Sequence, residues 1–372
     1  MAEQDAFESA LTVNAGIEQP PSVNQDAIVR FLQKRRPKLT AQEYVAGILA
    51  GDVSILSQAI TLVESSLPEH SAMAQEIVEA SLPHASKSVR IGITGVPGAG
   101  KSTFIEAMGK YLTSKGHRLA VLAVDPSSER SSGSILGDKT RMEALAVDPN
   151  AYIRPSPSAG SLGGVARKTR ESAVLCEAAG YDVLFIETVG VGQSETAVHS
   201  MTDFFLLIQI AGAGDELQGI KRGIMEMADA IAINKADGDN IERATMAMAF
   251  YKNALHLFPK TLSGWHPQVL TCSSFTSAGI PQLWETITKY MKLVKENGFF
   301  QHKRRAQAKY WMSDFIDARL KRHFALHPEV VRRKADLERK VLEGEMSPFT
   351  AAEALLESYF GPRGEKDPFG AE

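Results

Sequence analysis

Cysteine is nearly absent from this chain: Cys176 and Cys272 are the two in 372 residues, and both sit among apolar neighbours. That excludes a disulfide framework and implies a reducing compartment. Long apolar runs are missing as well, and none approaches the roughly 18 residues of a membrane-spanning helix. Neither sign of charge dominates, with 41 basic against 44 acidic residues and a formal net charge of −3. Bulk electrostatics therefore give no pull toward nucleic acid. The stretch from Met1 to Pro21 is polar and acidic. It lacks the basic and apolar regions of a secretory leader and the arginines of a transit peptide, so the expected address is cytoplasmic, with no membrane partner. The nine histidines are scattered rather than gathered into a metal-carrying tract.

What is present is organised in four parts. Residues 1–24, with Pro20 and Pro21, read as a tail, and so do residues 361–372. Residues 25–86 carry helical periodicity: Ile28, Phe31 and Leu32 first, then Thr40 to Glu43 as a capping box before Tyr44, then a restart at Gly51-Asp52, then a helix from about Ser71. Residues 87–296 alternate short apolar runs, at 89–94, 119–124, 183–187, 204–210, 230–234 and 269–272, with helical patterns. Such alternation predicts an α/β domain with a mostly parallel sheet flanked by helices, and ligands at the carboxyl ends of its strands. Residues 297–360 return to helix. The basic clusters His302 to Arg305 and Arg332 to Lys334 read as solvated faces. The stripe Trp311, Phe315, Ile316 and Leu320 reads as a core or dimer surface.

Polar chemistry gathers at the predicted strand ends. Gly95-Val96-Pro97-Gly98-Ala99-Gly100-Lys101-Ser102, followed by Thr103, matches G-x-x-x-x-G-K-[ST] between a strand and a helix. Glycines let the backbone close around a triphosphate, N–H groups and the helix N-terminus point at its oxygens, Lys101 reaches the outer phosphates and Ser102 ligates Mg²⁺. Asp125 ends the second run, and a Ser- and Gly-rich loop with Asp138 follows. Glu187-Thr188-Val189-Gly190 ends the third long run and has the form of a nucleotide switch, a carboxylate near the metal and a glycine N–H for the γ-phosphate. Glutamate replaces the usual aspartate there, and its longer arm suits a water-mediated metal contact. Asn234-Lys235-Ala236-Asp237 is the N-K-x-D pattern. Its aspartate accepts from guanine N1–H and N2–H₂, a donor pair that adenine lacks. Ser273-Ser274 follows the last run, where backbone N–H groups can meet the base oxygen.

These motifs, together with Val124 to Ser128, Glu187 to Glu195, Gly212 to Lys221 and Arg154 to Ser158, resemble the MeaB/ArgK family. Its members are G proteins associated with methylmalonyl-CoA mutase, formerly described as transport-system kinases. The resemblance spans about residues 30–360. It implies a P-loop NTPase fold of the SIMIBI type, with an N-terminal helical bundle and a C-terminal helical dimerisation arm. It also implies a homodimeric GTPase that takes GTP and GDP with Mg²⁺. The implied partner is an adenosylcobalamin-dependent acyl-CoA mutase, with a cobalamin adenosyltransferase as a further one. By the same resemblance Asp125, Asp138 and Glu187 surround the metal with Ser102. Asp215 to Lys221 then form an additional switch loop, and Lys221 joins Lys101 and Glu187 as a catalytic residue. A small-molecule kinase of a transport system and a metal-delivering GTPase are the alternative readings.

Overall fold

The computed structural model describes residues 39–65, 67–124, 142–155, 162–188, 194–212, 222–259 and 261–361. Seven strands form one all-parallel sheet in the order β3-β2-β4-β1-β5-β6-β7. They are β1 Val89–Gly95, β2 Leu119–Val124, β3 Ala151–Arg154, β4 Val183–Thr188, β5 Phe204–Ile210, β6 Ala230–Asn234 and β7 Gln268–Thr271. The central strands are apolar almost throughout because helices cover both faces. Six of the seven coincide with the apolar runs. The exception is β3, a four-residue edge strand with only Tyr152 and Ile153 buried, too short to show a period.

On one face α4 (Lys101–Ser114) and α10 (Ile280–Glu296) press Phe104, Met108, Leu112, Leu283 and Tyr290 against the inward residues of β1, β4 and β5. The other face is covered by α6 (Leu162–Ala178), α7 (Ser194–His199), α8 (Arg222–Met227) and α9 (Ile241–Leu255). A short turn of helix, α5 (Glu143–Ala146), precedes β3, and Glu106 of α4 accepts from its Ala144 and Leu145 N–H groups at 2.9 and 3.2 Å.

The amino-terminal helices α1 (Ala41–Leu49), α2 (Val53–Glu64) and α3 (Pro68–Ser81) do not enclose a core of their own. Ile48, Leu56, Ile60 and Ile77 share one apolar cluster with Leu175, Tyr181, Leu122 and Leu184 of the α/β domain. Asp52 caps α2 by accepting from Ser54 N and Ile55 N. α3 starts at Pro68, a turn earlier than the expected Ser71, since a proline at the first helical position loses no intrahelical bond.

Beyond the sheet run α11 (Phe299–Leu326), α12 (Pro328–Leu342) and α13 (Pro348–Phe360). The sequence suggests a solvated basic face at 302–305, but the structure buries most of Arg304. Its guanidinium makes two 2.6 Å bonds to Asp203, just before β5, and lies 3.6 Å from Glu177 of α6. Glu177 also accepts from Arg90 of β1 at 2.7 and 2.9 Å, and from Ser88. Trp311 is likewise packed within the chain: its Nε1 donates to Ser200 O at 3.0 Å and Arg170 lies 4.8 Å over its ring. Phe315, Ile316 and Leu320 stay exposed.

Burial alone would raise the pKa of Glu177, but Arg90, Arg304 and the Ser88 hydroxyl outweigh it and hold the carboxyl at about 2, against an ordinary 4.5. A depressed carboxyl stabilises the fold fully above its unfolded pKa, and that stability fades as pH falls from about 4.5 toward about 2. Glu177→Gln is expected to cost about 3 kcal/mol at neutral pH, because it strands Arg90 while Arg304 keeps Asp203. Urea titrations of both proteins check this: the gap between them should close over that acid window, and a pH-independent gap would rule the ion pair out.

Candidate functional site

The phosphate loop is shaped by where the backbone cannot carry a side chain. A Cβ on Gly95 would lie 2.2 Å from Ile208 O of β5, so the loop leaves the sheet in contact with the neighbouring strand. Gly100 takes φ +88°, and a Cβ there would lie 2.8 Å from Asn234 Nδ2. From Gly100 the chain enters α4, whose first turn supplies backbone N–H groups and the favourable end of the helix dipole for an anion. Lys101 is largely buried, and its Nζ donates to Gly95 O at 3.0 Å and to Val96 O at 3.5 Å. The ammonium is thus folded back onto carbonyls of its own loop. Pro97 and Gly98 are exposed at the tip, Ala99 is buried beneath it, Ser102 is half-buried and Thr103 faces outward.

β4 brings its carboxyl end beside this loop. Glu187 pairs in register with Ile93 of β1 and Ala123 of β2, and it is buried. Thr188, fully buried, donates to Thr94 Oγ1 at 2.9 Å and so ties the two strand ends together. Of the four expected metal-site residues, Ser102 and Glu187 fall among the described residues. A hydroxyl and a carboxylate are hard oxygen donors and suit Mg²⁺. Asp125, Asp138, Gly190 and Lys221 lie outside the described residues.

The side expected to read the base is built around Asn234, the buried last residue of β6. Its Nδ2 donates to Ala99 O of the phosphate loop at 2.8 Å. Its Oδ1 accepts from Ser274 N at 3.1 Å and Ser274 Oγ at 2.8 Å. One side chain therefore fixes the distance between the phosphate loop and the loop after β7. Lys235 adopts φ +60°, a strained conformation for a residue with a Cβ, held by Asn240 donating to its carbonyl at 2.7 Å. Ser273 Oγ donates to Asp237 Oδ2 and itself accepts from Thr276 N at 3.1 Å. The carboxylate of Asp237 is thereby oriented.

The described site residues thus converge on one end of the sheet, around the carboxyl ends of β1, β4, β6 and β7. The arrangement can cradle phosphate at one end and read two donors on a purine edge at the other. Sequence reasoning missed the hydroxyl link between Thr94 and Thr188 and the side-chain role of Ser273. Hydroxyls in such turns read equally well as caps, and no spacing rule separates the two. Among the described residues no group of three or more His, Cys, Asp or Glu is placed to hold a metal ion, and no helix is long and apolar enough to cross a membrane.

Residues 56–329 are matched by the family model described as methylmalonyl-CoA mutase-associated GTPase MeaB. A protein of Mycobacterium tuberculosis called a probable GTPase is 49% identical over 319 residues, covering 86% of this chain and 95% of its own length. The mouse protein called methylmalonic aciduria type A homolog, mitochondrial, is 44% identical over 365 residues, covering 95% of this chain and 86% of its own. A crystal structure titled LAO/AO transport system kinase superposes with a TM-score of 0.70 at 38% identity, over 86% of this chain and 97% of that one.

Proposed function

The chain belongs to the MeaB family of methylmalonyl-CoA mutase-associated GTPases, and from that premise we propose that it is a GTP-hydrolysing chaperone of an adenosylcobalamin-dependent acyl-CoA mutase. In this role it gates loading of the adenosylcobalamin, protects the mutase from inactivation and helps exchange damaged cofactor, with a cobalamin adenosyltransferase as a second partner. The observation that carries the nucleotide part is the Asn234 bridge, which sets the phosphate loop and the base loop at a fixed separation. The name of the mouse relative supports the mutase part. Two buried free cysteines fit the cytoplasmic address.

Binding and reaction divide among named groups. Backbone N–H groups from Gly98 to Thr103 hold the phosphates, and Lys101 swings from Gly95 O to neutralise the outer ones. Asp237, oriented by Ser273, accepts from the guanine donors. Ser102 and Glu187, with Asp125 and Asp138, would hold Mg²⁺, which when bound draws charge from the β- and γ-phosphate oxygens. Gly190 offers its N–H to the γ-phosphate.

Orienting the attacking water is the weak point. The residue after Gly190 is Val191, which cannot hold a water, and Gln193 stands two further on. Hydrolysis by the chain alone is therefore slow, and the missing group is brought into place when the partner binds and moves the loop Asp215 to Lys221. Lys221 is the candidate, a cation that stabilises charge developing on the transferred phosphoryl group. Apo-mutase should raise the rate of phosphate release at least about tenfold, roughly 1.4 kcal/mol of barrier. Lys221→Ala should lose most of that rise. Full stimulation in the variant would remove Lys221 from the mechanism, and no stimulation of the wild type by any apo-acyl-CoA mutase would remove the partner.

The arm of α11 to α13 is proposed to join two copies. Phe315, Ile316 and Leu320 present 43%, 46% and 56% of their surface to solvent along one stretch of α11, an apolar strip that a second arm would cover. The transport-kinase reading keeps the same phosphate loop but gives the guanine-shaped loop no purpose.

A further inference from the structure

Gln209 interrupts the apolar run of β5 one residue before its end, and its side chain is completely enclosed. Neither its amide oxygen nor its amide nitrogen has a hydrogen-bond partner among the described residues. A buried amide left unpaired on both sides is costly, and native structures rarely keep one without a reason. The side chain lines a cavity of about 10 Å³ together with Thr94, Gly95 and Val96 of the phosphate-loop root, Glu195 of α7, Leu207 of β5 and Ile224 of α8. That volume is at the lower limit for a single water.

The walls of this cavity come from the root of the phosphate loop, from β5 and from helices α7 and α8. Gly95 pairs with Ile208 in the sheet and has no slack against its carbonyl, so a shift of the loop root is felt at the end of β5. Thr94 accepts from Thr188, the strand-end residue beside Glu187. Glu195 is buried at the second position of α7, five residues after the glycine of the acidic-x-x-Gly motif. Ile224 sits near the start of α8, directly after residues 213–221, and packs on both the α7 and the α9 side.

We propose that Gln209 is a positioning residue that couples the phosphate loop to helices α7 and α8. Its unpaired amide raises the energy of the arrangement described here against one in which α7 or α8 has shifted. The shift supplies a partner directly or widens the cavity enough to admit a water. A nucleoside triphosphate selects that second arrangement and a diphosphate does not, so the amide adds to the discrimination between them. This rests on the GTPase reading above.

The test uses the full chain with fluorescent GDP and a fluorescent non-hydrolysable GTP analogue, and compares the ratio of their affinities with thermal midpoints. Gln209→Leu should raise the midpoint by about 2 °C or more, because an orphaned amide is gone. It should also shift the analogue-to-GDP affinity ratio at least about fivefold toward GDP. Ile224→Ala opens the cavity to water in both arrangements, so it should lower the midpoint yet weaken the same discrimination. A lower midpoint in Gln209→Leu would show that the amide is already satisfied and overturn the inference. So would a ratio unchanged within about twofold in both variants. A wild-type chain that binds neither nucleotide would overturn the GTPase reading, and the inference with it.

Discussion

Asp237→Asn will turn a guanosine site into a xanthosine site. The expected change is a fall in GTP affinity of at least about a hundredfold, with a comparable gain for xanthosine triphosphate. The size follows from what each atom faces. In the wild type Ser273 Oγ donates to Oδ2, and in the proposed site the carboxylate accepts from the N1–H and N2–H₂ edge of guanine. In the variant the amide oxygen keeps the bonds from Ser273 and from N1–H, and the amide N–H₂ turns toward the 2-position of the base. Guanine then meets donor with donor, whereas xanthine offers a carbonyl at that position. Ser273 therefore decides which end of the new amide reads the base. Competition binding with GDP, xanthosine diphosphate and ADP measures this, and equal GDP affinity in variant and wild type would take Asp237 out of the base site.

Lys101→Ala should abolish hydrolysis with little effect on the fold. Removing one preorganised cation from the phosphoryl oxygens is worth about a thousandfold in rate, or roughly 4 kcal/mol. Lys101 is buried, and its bonds include one of 3.0 Å to Gly95 O and a longer one to Val96 O. Losing those costs about 1 kcal/mol. The two effects therefore separate by more than the error of either measurement. Single-turnover hydrolysis beside a denaturation curve settles it: a variant that hydrolyses normally, or one that unfolds in step with its lost activity, contradicts the assignment.

The central sheet was legible because β1, β2, β4, β5 and β6 are largely buried on both faces and so read as mostly apolar runs. β3 escaped because an edge strand of four residues ending in Arg154 carries no period. Arg154 itself pairs with Glu64 of α2, a contact 90 residues away in sequence that no local pattern can show. Arg304 misled for the same reason. A basic run on a long helix looks solvated until the fold brings Asp203 and Glu177 against it. At the site, the glycine loop and the N-K-x-D residues were legible as motifs, since each needs fixed residue types at fixed spacing. Their joinery was not. The Asn234 link to Ala99 spans 135 residues, and Gln209 looks in the sequence like a single polar break in an apolar strand.

Product analysis with γ-labelled nucleotides tests the central claim most directly. Supplied with GTP and ATP in competition and a mixture of small-molecule acceptors, the protein should consume GTP first and release all of the label as inorganic phosphate. Label carried onto an acceptor, or ATP used in preference to GTP, would contradict a guanine-specific hydrolytic site and return the chain to the kinase reading.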